Sequence, residues 1–329
     1  MTYLLDPDLF TDNMKREPTR AGFGRGLKAA GEANEAVVAL CADLTESTQM
    51  HLFRDTFPKR FIEIGVAEQN LVTVASGMAH AGKIPFTSSY AAFSPGRNWE
   101  QIRTTVTLNN QPVKIIGSHA GVYTGKDGAT HQMLEDIALM RVLPNMVVIA
   151  PGDSLEAEKA TRAIAENAKP SYLRLAREKT PIFSTPESPF EIGQAYVLRE
   201  GTDLSLLGTG TMTARLLEVA NILADKGVNA EVVHVPTIKP LDEATILASA
   251  RKTGRVVTAE EAQAAGGFGG AVTELLSDQL PMPVKRLGMQ DRFGESGNPD
   301  ELFELFGLSA PQIADTIADW AEQTPRYHQ

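Results

Sequence analysis

The chain has 329 residues, 43% hydrophobic and 22% charged, an ordinary globular composition with enough length for two hydrophobic cores. A formal net charge of −10 excludes a nucleic-acid surface and attraction to an anionic membrane as expectations, but leaves room for a small anion held by a local arginine and histidine cluster. The single Cys41 excludes an intramolecular disulfide framework and fits a reducing compartment. With no signal-peptide pattern in MTYLLDPDLFTDNMKREPTR and no apolar run of membrane-spanning length, a cytoplasmic protein is expected.

Short apolar runs alternate with amphipathic stretches. Strands are predicted at 36–42, 60–64, 84–89, 113–118, 146–150 and 171–176, with helices at 20–34, 68–81, 98–108 and 154–167 between them. Pro181, Pro186 and Pro189 in TPIFSTPESPFE then fix φ and remove backbone donors, which reads as a connector. The alternation resumes with strands at 203–208, 230–235, 255–260 and 284–288 and helices at 213–226, 242–253 and 268–279. Repeated strand–helix order implies two α/β domains, 1–186 and 187–329, each a mostly parallel sheet with helices on both faces, a three-layer αβα arrangement.

Several segments carry chemistry. In IGVAEQNLVTVA, Glu68 stands where a strand turns into a helix. A first-turn acid that complements the helix dipole is the common reading. Ile64, Val66, Leu71, Val72 and Val74 point instead to a buried carboxylate with a proton to share, suited to acid–base work on a nitrogen heterocycle. SHAGVYTGKDGATHQ follows a strand, at the carboxyl edge where parallel sheets place their sites, and holds His119, Asp127 and His131 among four glycines. It reads either as a flexible loop with structural histidines or as a site, and its spacing does not suit structural zinc. In TSSYAAFSPGRNW, Tyr90 and Phe93 either line a flat ring or belong to the core. Arg20 and Arg177 are surface charges singly, and together a forked grip for a phosphate. LLGTGTMTARLL matches neither GxGxxG nor a Walker sequence and reads as a structural turn, as EEAQAAGGFGGAV does as a tight strand-to-helix connection.

Together these segments resemble the C-terminal half of transketolases, from PTRAGFGRGL through CADLTEST, FIEIGVAEQN, PFTSSYAAF and HAGVYTGKDGATHQ to YLRLAR, then VHVPTIKPLD, VVTAEEAQAAGGFGGAV and GMQDRFGESGNPDELFELFGL. The resemblance implies thiamine diphosphate as cofactor and transfer of a two-carbon ketol unit between sugar phosphates. It implies that Glu68 shares a proton with the aminopyrimidine, that Tyr90 and Phe93 pack around that ring, and that Asp43 and Leu44 approach the cofactor across a subunit interface. By the same carry-over His119 and Asp127 contact sugar hydroxyls, His131 joins the phosphate end, and Arg20, Ser47 and Arg177 bind the phosphate. A further aromatic of the family's ring pocket is replaced near residues 94–96. The family's Gly-Asp-Gly…Asn segment, which holds the diphosphate through Mg²⁺, is absent, and Gly152-Asp153-Ser154 is the nearest approach. A split enzyme is therefore expected, a partner subunit supplying the diphosphate domain and the Mg²⁺ ligands in a dimer or heterotetramer. The alternatives are the E1 β subunit of a 2-oxo acid dehydrogenase, a deoxyxylulose-phosphate-synthase-like enzyme, and a non-catalytic scaffold.

Overall fold

The structure is a computed structural model and describes residues 3–327. Its larger sheet has the spatial order Thr237–Lys239, Val147–Ile149, Ser171–Arg174, Lys114–Ser118, Ile84–Tyr90, Val37–Cys41, Phe61–Glu63. All neighbours in it are parallel except the first pair. The central strands read as unbroken apolar runs because both faces are covered. Along Val37–Cys41 the residues alternate sides: Val37, Ala39 and Cys41 join Phe23, Leu27 and Phe53, while Val38 and Leu40 join Leu71, Val72 and Ile102.

The second sheet has the order Val284–Met289, Val256–Gln263, Leu204–Gly208, Ala230–His234, Tyr196–Arg199, parallel but for the last strand. The predicted strands and helices fall within a few residues of these elements. The connector behaves differently from expectation. Thr180–Pro181 pairs with Arg16–Glu17, and Thr237–Lys239, far beyond the prolines, closes the edge of the first sheet antiparallel to Val147–Ile149. One core layer also runs through both halves, from Val38 and Tyr172 to Leu207, Val233 and Ile246. The helix expected over 98–108 begins as an α-turn at Trp99–Gln101 and loosens into π-type turns over Ile102–Thr107.

Helices Thr19–Ala33 and Ser154–Glu166 cross at close quarters because glycine lines the contact. A Cβ on Gly22 would stand 1.8 Å from the Ser154 carbonyl oxygen. Among the described residues no helix is long and apolar enough to cross a membrane.

Candidate active site

Six parallel strands end along one edge of the larger sheet, and the segments that leave five of them carry nearly every residue singled out from the sequence. Glu68 opens helix Glu68–His80 and is 1% exposed. Its burial does not come from its chain neighbours: Val66 is 69% exposed, and Ala67, Gln69 and Asn70 also face outward. That corrects the reading in which Val66 walls the acid in. Helical geometry turns Glu68 inward with Leu71, Val72 and Ala75, three, four and seven residues on. Ser89, on the neighbouring strand, donates its hydroxyl to Glu68 Oε1 at 3.1 Å, and Arg97 Nη1 lies 3.4 Å from Oε2. Asn98 donates to the Glu68 carbonyl at 2.8 Å and to the Ser94 hydroxyl at 3.1 Å, which pins the 91–98 loop to the helix.

Arg97 also stands over Phe93, 5.4 Å from the ring centroid, and so links the carboxylate to an aromatic group. Phe93 and Tyr90 are near-parallel with centroids 6.2 Å apart, and His131 meets both edge-on at 5.4 and 5.9 Å. His119 stacks on Tyr90 at 3.8 Å. Ser47 Oγ joins the group, 2.8 Å from the Tyr90 hydroxyl and 3.4 Å from His119 Nε2, while the Ser118 hydroxyl lies 2.9 Å from Nδ1. Burial, followed by the charges of Arg20, Arg177 and His131, pushes the His119 pKa down to about 2, so this imidazole is neutral. His119 has φ +58°, a left-handed conformation unusual for a side chain with a Cβ, and its carbonyl accepts from the Thr124 hydroxyl at 2.6 Å.

The arginines flank this group. Arg20 Nη1 donates to the Ser47 carbonyl at 2.5 Å, but its Nε is buried without a partner. Burial, then the charge of Arg177, lowers the Arg20 pKa. Arg177 Nη1 donates to the Thr124 carbonyl at 3.1 Å, and Nε lies 3.6 Å from Asp127 Oδ2. Arg20, with an unused buried donor and a second guanidinium near enough to lower its pKa, forms a place an anion would stabilise.

Among the described residues no hydrogen bond joins Asp43 or Leu44 to this cluster. Asp43 is exposed with φ +58°, its amide donating to Glu63 Oε1 at 2.7 Å, and Leu44 packs partly against the core. Glu63 also takes the Gly65 amide at 2.9 Å, so it shapes two of the turns at this edge. Sequence reasoning missed Glu63, Ser89, Arg97 and Ser118. Ser89 and Arg97 lay inside a quoted motif, but their common partner, Glu68, is 21 and 29 residues away.

Near residues 94–96 the turn is tight: a Cβ on Gly96 would fall 2.1 Å from the Ala92 carbonyl oxygen. Asp153 is buried and saturated, accepting from the amides of Glu156, Phe183 and Ser184 and from the Ser184 hydroxyl, so it caps a helix. Among the described residues no group of three or more His, Cys, Asp and Glu is placed to hold a metal ion. In the second half, Gly210 (φ +56°) and the Thr209 hydroxyl, bonded to the Val235 carbonyl, make LLGTGTMTARLL a turn.

Comparison with known proteins places both halves of the chain in one family. Residues 16–182 match the transketolase pyrimidine-binding domain and residues 193–313 the transketolase C-terminal domain. A Methanocaldococcus jannaschii protein named as a transketolase C-terminal section is 44% identical over 91% of this chain and 95% of its own length. A 6-deoxy-6-sulfo-D-fructose transketolase subunit of a Clostridium species is 42% identical over 89% of this chain and 91% of its own. A solved structure titled a split gene transketolase, inactive beta4 tetramer, superposes with a TM-score of 0.87 at 42% identity, covering 94% of this chain and 99% of that one.

Proposed function

The chain belongs to the transketolase family, as its C-terminal half, and we propose that it is the C-terminal subunit of a thiamine-diphosphate-dependent transketolase that moves a two-carbon ketol unit from a ketose phosphate to an aldose phosphate. The observation that carries this reading is the Glu68 carboxylate. It is 1% exposed, bonded to one hydroxyl and one exposed guanidinium, and linked through Arg97 to the stacked Phe93 and Tyr90 rings. A carboxylate with lone pairs to spare beside flat aromatic faces fits an aminopyrimidine ring. When bound, the cofactor supplies the nucleophilic carbon and the electron sink for the transferred fragment.

In this reading Glu68 holds a proton against a ring nitrogen, and Ser89 fixes the carboxylate's rotamer. Phe93 and Tyr90 provide the ring's flank and keep water from it. His119, neutral at working pH, donates or accepts a hydrogen bond at a sugar hydroxyl near the reacting carbons, and Asp127 binds another. Arg20 and Arg177, with Ser47 and His131, grip the phosphate and release Asp127 from its weak pairing. Asp43, exposed, and Leu44, half-buried, face a subunit neighbour. Mg²⁺ and the diphosphate belong to the N-terminal subunit, which completes two sites in a heterotetramer. The relative titled an inactive β4 tetramer supports such a requirement for a partner.

The test mixes this chain with the N-terminal subunit, thiamine diphosphate and Mg²⁺ and follows transfer from xylulose 5-phosphate to ribose 5-phosphate. Neither subunit alone is expected to turn over, and Glu68→Gln in the complex should lose ~100-fold or more in rate. Full activity of the single chain, or of the Glu68→Gln complex, would overturn the proposal. Because a guanidinium pair binds a sulfonate as it does a phosphate, 6-deoxy-6-sulfofructose belongs in the same assay as a donor.

A further inference from the structure

The loop that carries His119, Asp127 and His131 is held from the far side by the second half of the chain. Glu261, 2% exposed on strand Val256–Gln263, accepts the Tyr123 amide on Oε2 at 3.0 Å. Its other oxygen takes the Thr211 hydroxyl at 2.6 Å and lies 3.4 Å from Arg174 Nη1. Arg174 is fixed in turn by Asp136, at 2.9 Å from Nε, and Asp136 by the Tyr172 hydroxyl at 2.8 Å. The Tyr123 carbonyl accepts from the Glu178 amide at 3.2 Å, so the peptide is gripped at both ends. The adjacent Thr124 ties the loop to the site, its hydroxyl on the His119 carbonyl and its own carbonyl on Arg177. Gly121, with φ +77°, is bare on the side facing this pair: a Cβ there would be 2.6 Å from both Arg174 Nη2 and Glu261 Oε2. Two further ties reinforce the loop's far end, Gln132 Nε2 to the Glu295 carbonyl at 2.9 Å and the Gln263 amide to the Leu134 carbonyl at 2.8 Å.

We infer that Glu261 is a positioning residue for the sugar-binding loop: by holding the Tyr123 amide it sets the backbone of His119 and the reach of Arg177. The second half of the chain therefore acts as a template for the site. This rests on the roles given above to His119, Asp127 and Arg177, but its first readout does not need turnover.

Hydrogen–deuterium exchange on the whole chain and kinetics of the reconstituted complex would compare Glu261→Ala with Glu261→Gln, which keeps an acceptor for Tyr123. Glu261→Ala is expected to speed exchange over residues 119–131 by ~10-fold or more, with the other strands little changed. It should raise KM for xylulose 5-phosphate by about tenfold with a smaller fall in kcat, since a displaced binding group weakens the substrate complex. Glu261→Gln should stay nearer wild type in both. If Glu261→Ala does not fold, Glu261→Asp, which keeps charge beside Arg174 but draws the oxygen away from Tyr123, replaces it under the same criteria. A folded Ala or Asp variant with unchanged loop exchange, or exchange raised evenly through the chain, would overturn the inference. So would equal impairment by Gln. Absence of ketol transfer by the wild-type complex would instead count against the proposed function, and loop exchange alone would then decide the role of Glu261.

Discussion

The His119 imidazole lies on the Tyr90 ring with centroids 3.8 Å apart and planes 26° from parallel, while Ser47 reaches both side chains. Two strand ends are thereby joined through a polar contact and an aromatic face. Tyr90→Phe removes the hydroxyl that meets Ser47 but keeps the stack, so it should cost only about 1 kcal/mol of stability. Tyr90→Ala loses the aromatic face and should cost about 3 kcal/mol or more. Urea titration of both variants checks this, and equal losses would show that the ring face contributes nothing beyond its hydroxyl.

The surroundings of His119 also predict how stability depends on pH. Burial, then the nearby Arg20 and Arg177, hold its pKa at about 2, below an unfolded value near 6.5. The unfolded chain therefore takes up the proton first as pH falls. The contribution of His119 is complete above about pH 6.5 and is lost steadily on acidification towards its folded pKa. Two pH units below 6.5, the loss amounts to about 3 kcal/mol. His119→Gln should flatten the fall in urea midpoint between pH 6.5 and 4.5 by that order. An unchanged slope in the variant would mean that the imidazole is charged in the folded protein.

How far the sequence disclosed this site depends on whether the signal was local. Glu68, His119 and Tyr90 follow apolar runs that read as parallel strands, and strand ends share one edge by topology. Partners separated along the chain were not visible: Ser89 and Arg97 on Glu68, Ser118 on His119 and Glu261 on Tyr123 meet only after folding. Strand Thr237–Lys239 escaped notice because it is three residues long between Pro236 and Pro240, and proline signals a break even where it flanks an edge strand. Val66 misled for the opposite reason. Apolar character suggested burial, but Val66 lies in the bend before the helix and faces outward, while the first turn of the helix carries Glu68 inward.

The guanidinium pair makes a prediction about substrate charge. Arg20 Nε has no partner, and Arg177 Nε has only a 3.6 Å contact with Asp127. A charge-assisted hydrogen bond is worth about 1.5–3 kcal/mol, so Arg20→Lys and Arg177→Lys, which keep charge and lose the fork, should each raise KM for a phosphorylated ketose by about 10-fold to 100-fold. Values of kcat should change less, and a donor lacking phosphate should be almost indifferent. Equal effects on both donors would place the arginines elsewhere in the mechanism.

Two glycines should respond to alanine in opposite directions. Replacing a helical glycine by alanine usually gains about 0.5–1 kcal/mol by lowering the entropy of the unfolded chain. Gly77, in helix Glu68–His80, has nothing within 4 Å of the position a Cβ would take, so Gly77→Ala should realise that gain. At Gly22 the same methyl would lie 1.8 Å from the Ser154 carbonyl oxygen, and that neighbour is backbone, unable to rotate away. Helix Thr19–Ala33 would have to part from Ser154–Glu166, and overpacking of this kind costs about 1–3 kcal/mol or more. Since Arg20 lies two residues before the contact on the same helix, the displacement should also weaken sugar phosphate binding. Urea midpoints should move up for Gly77→Ala and down for Gly22→Ala. A stabilised Gly22→Ala would show that the two helices are not in close backbone contact.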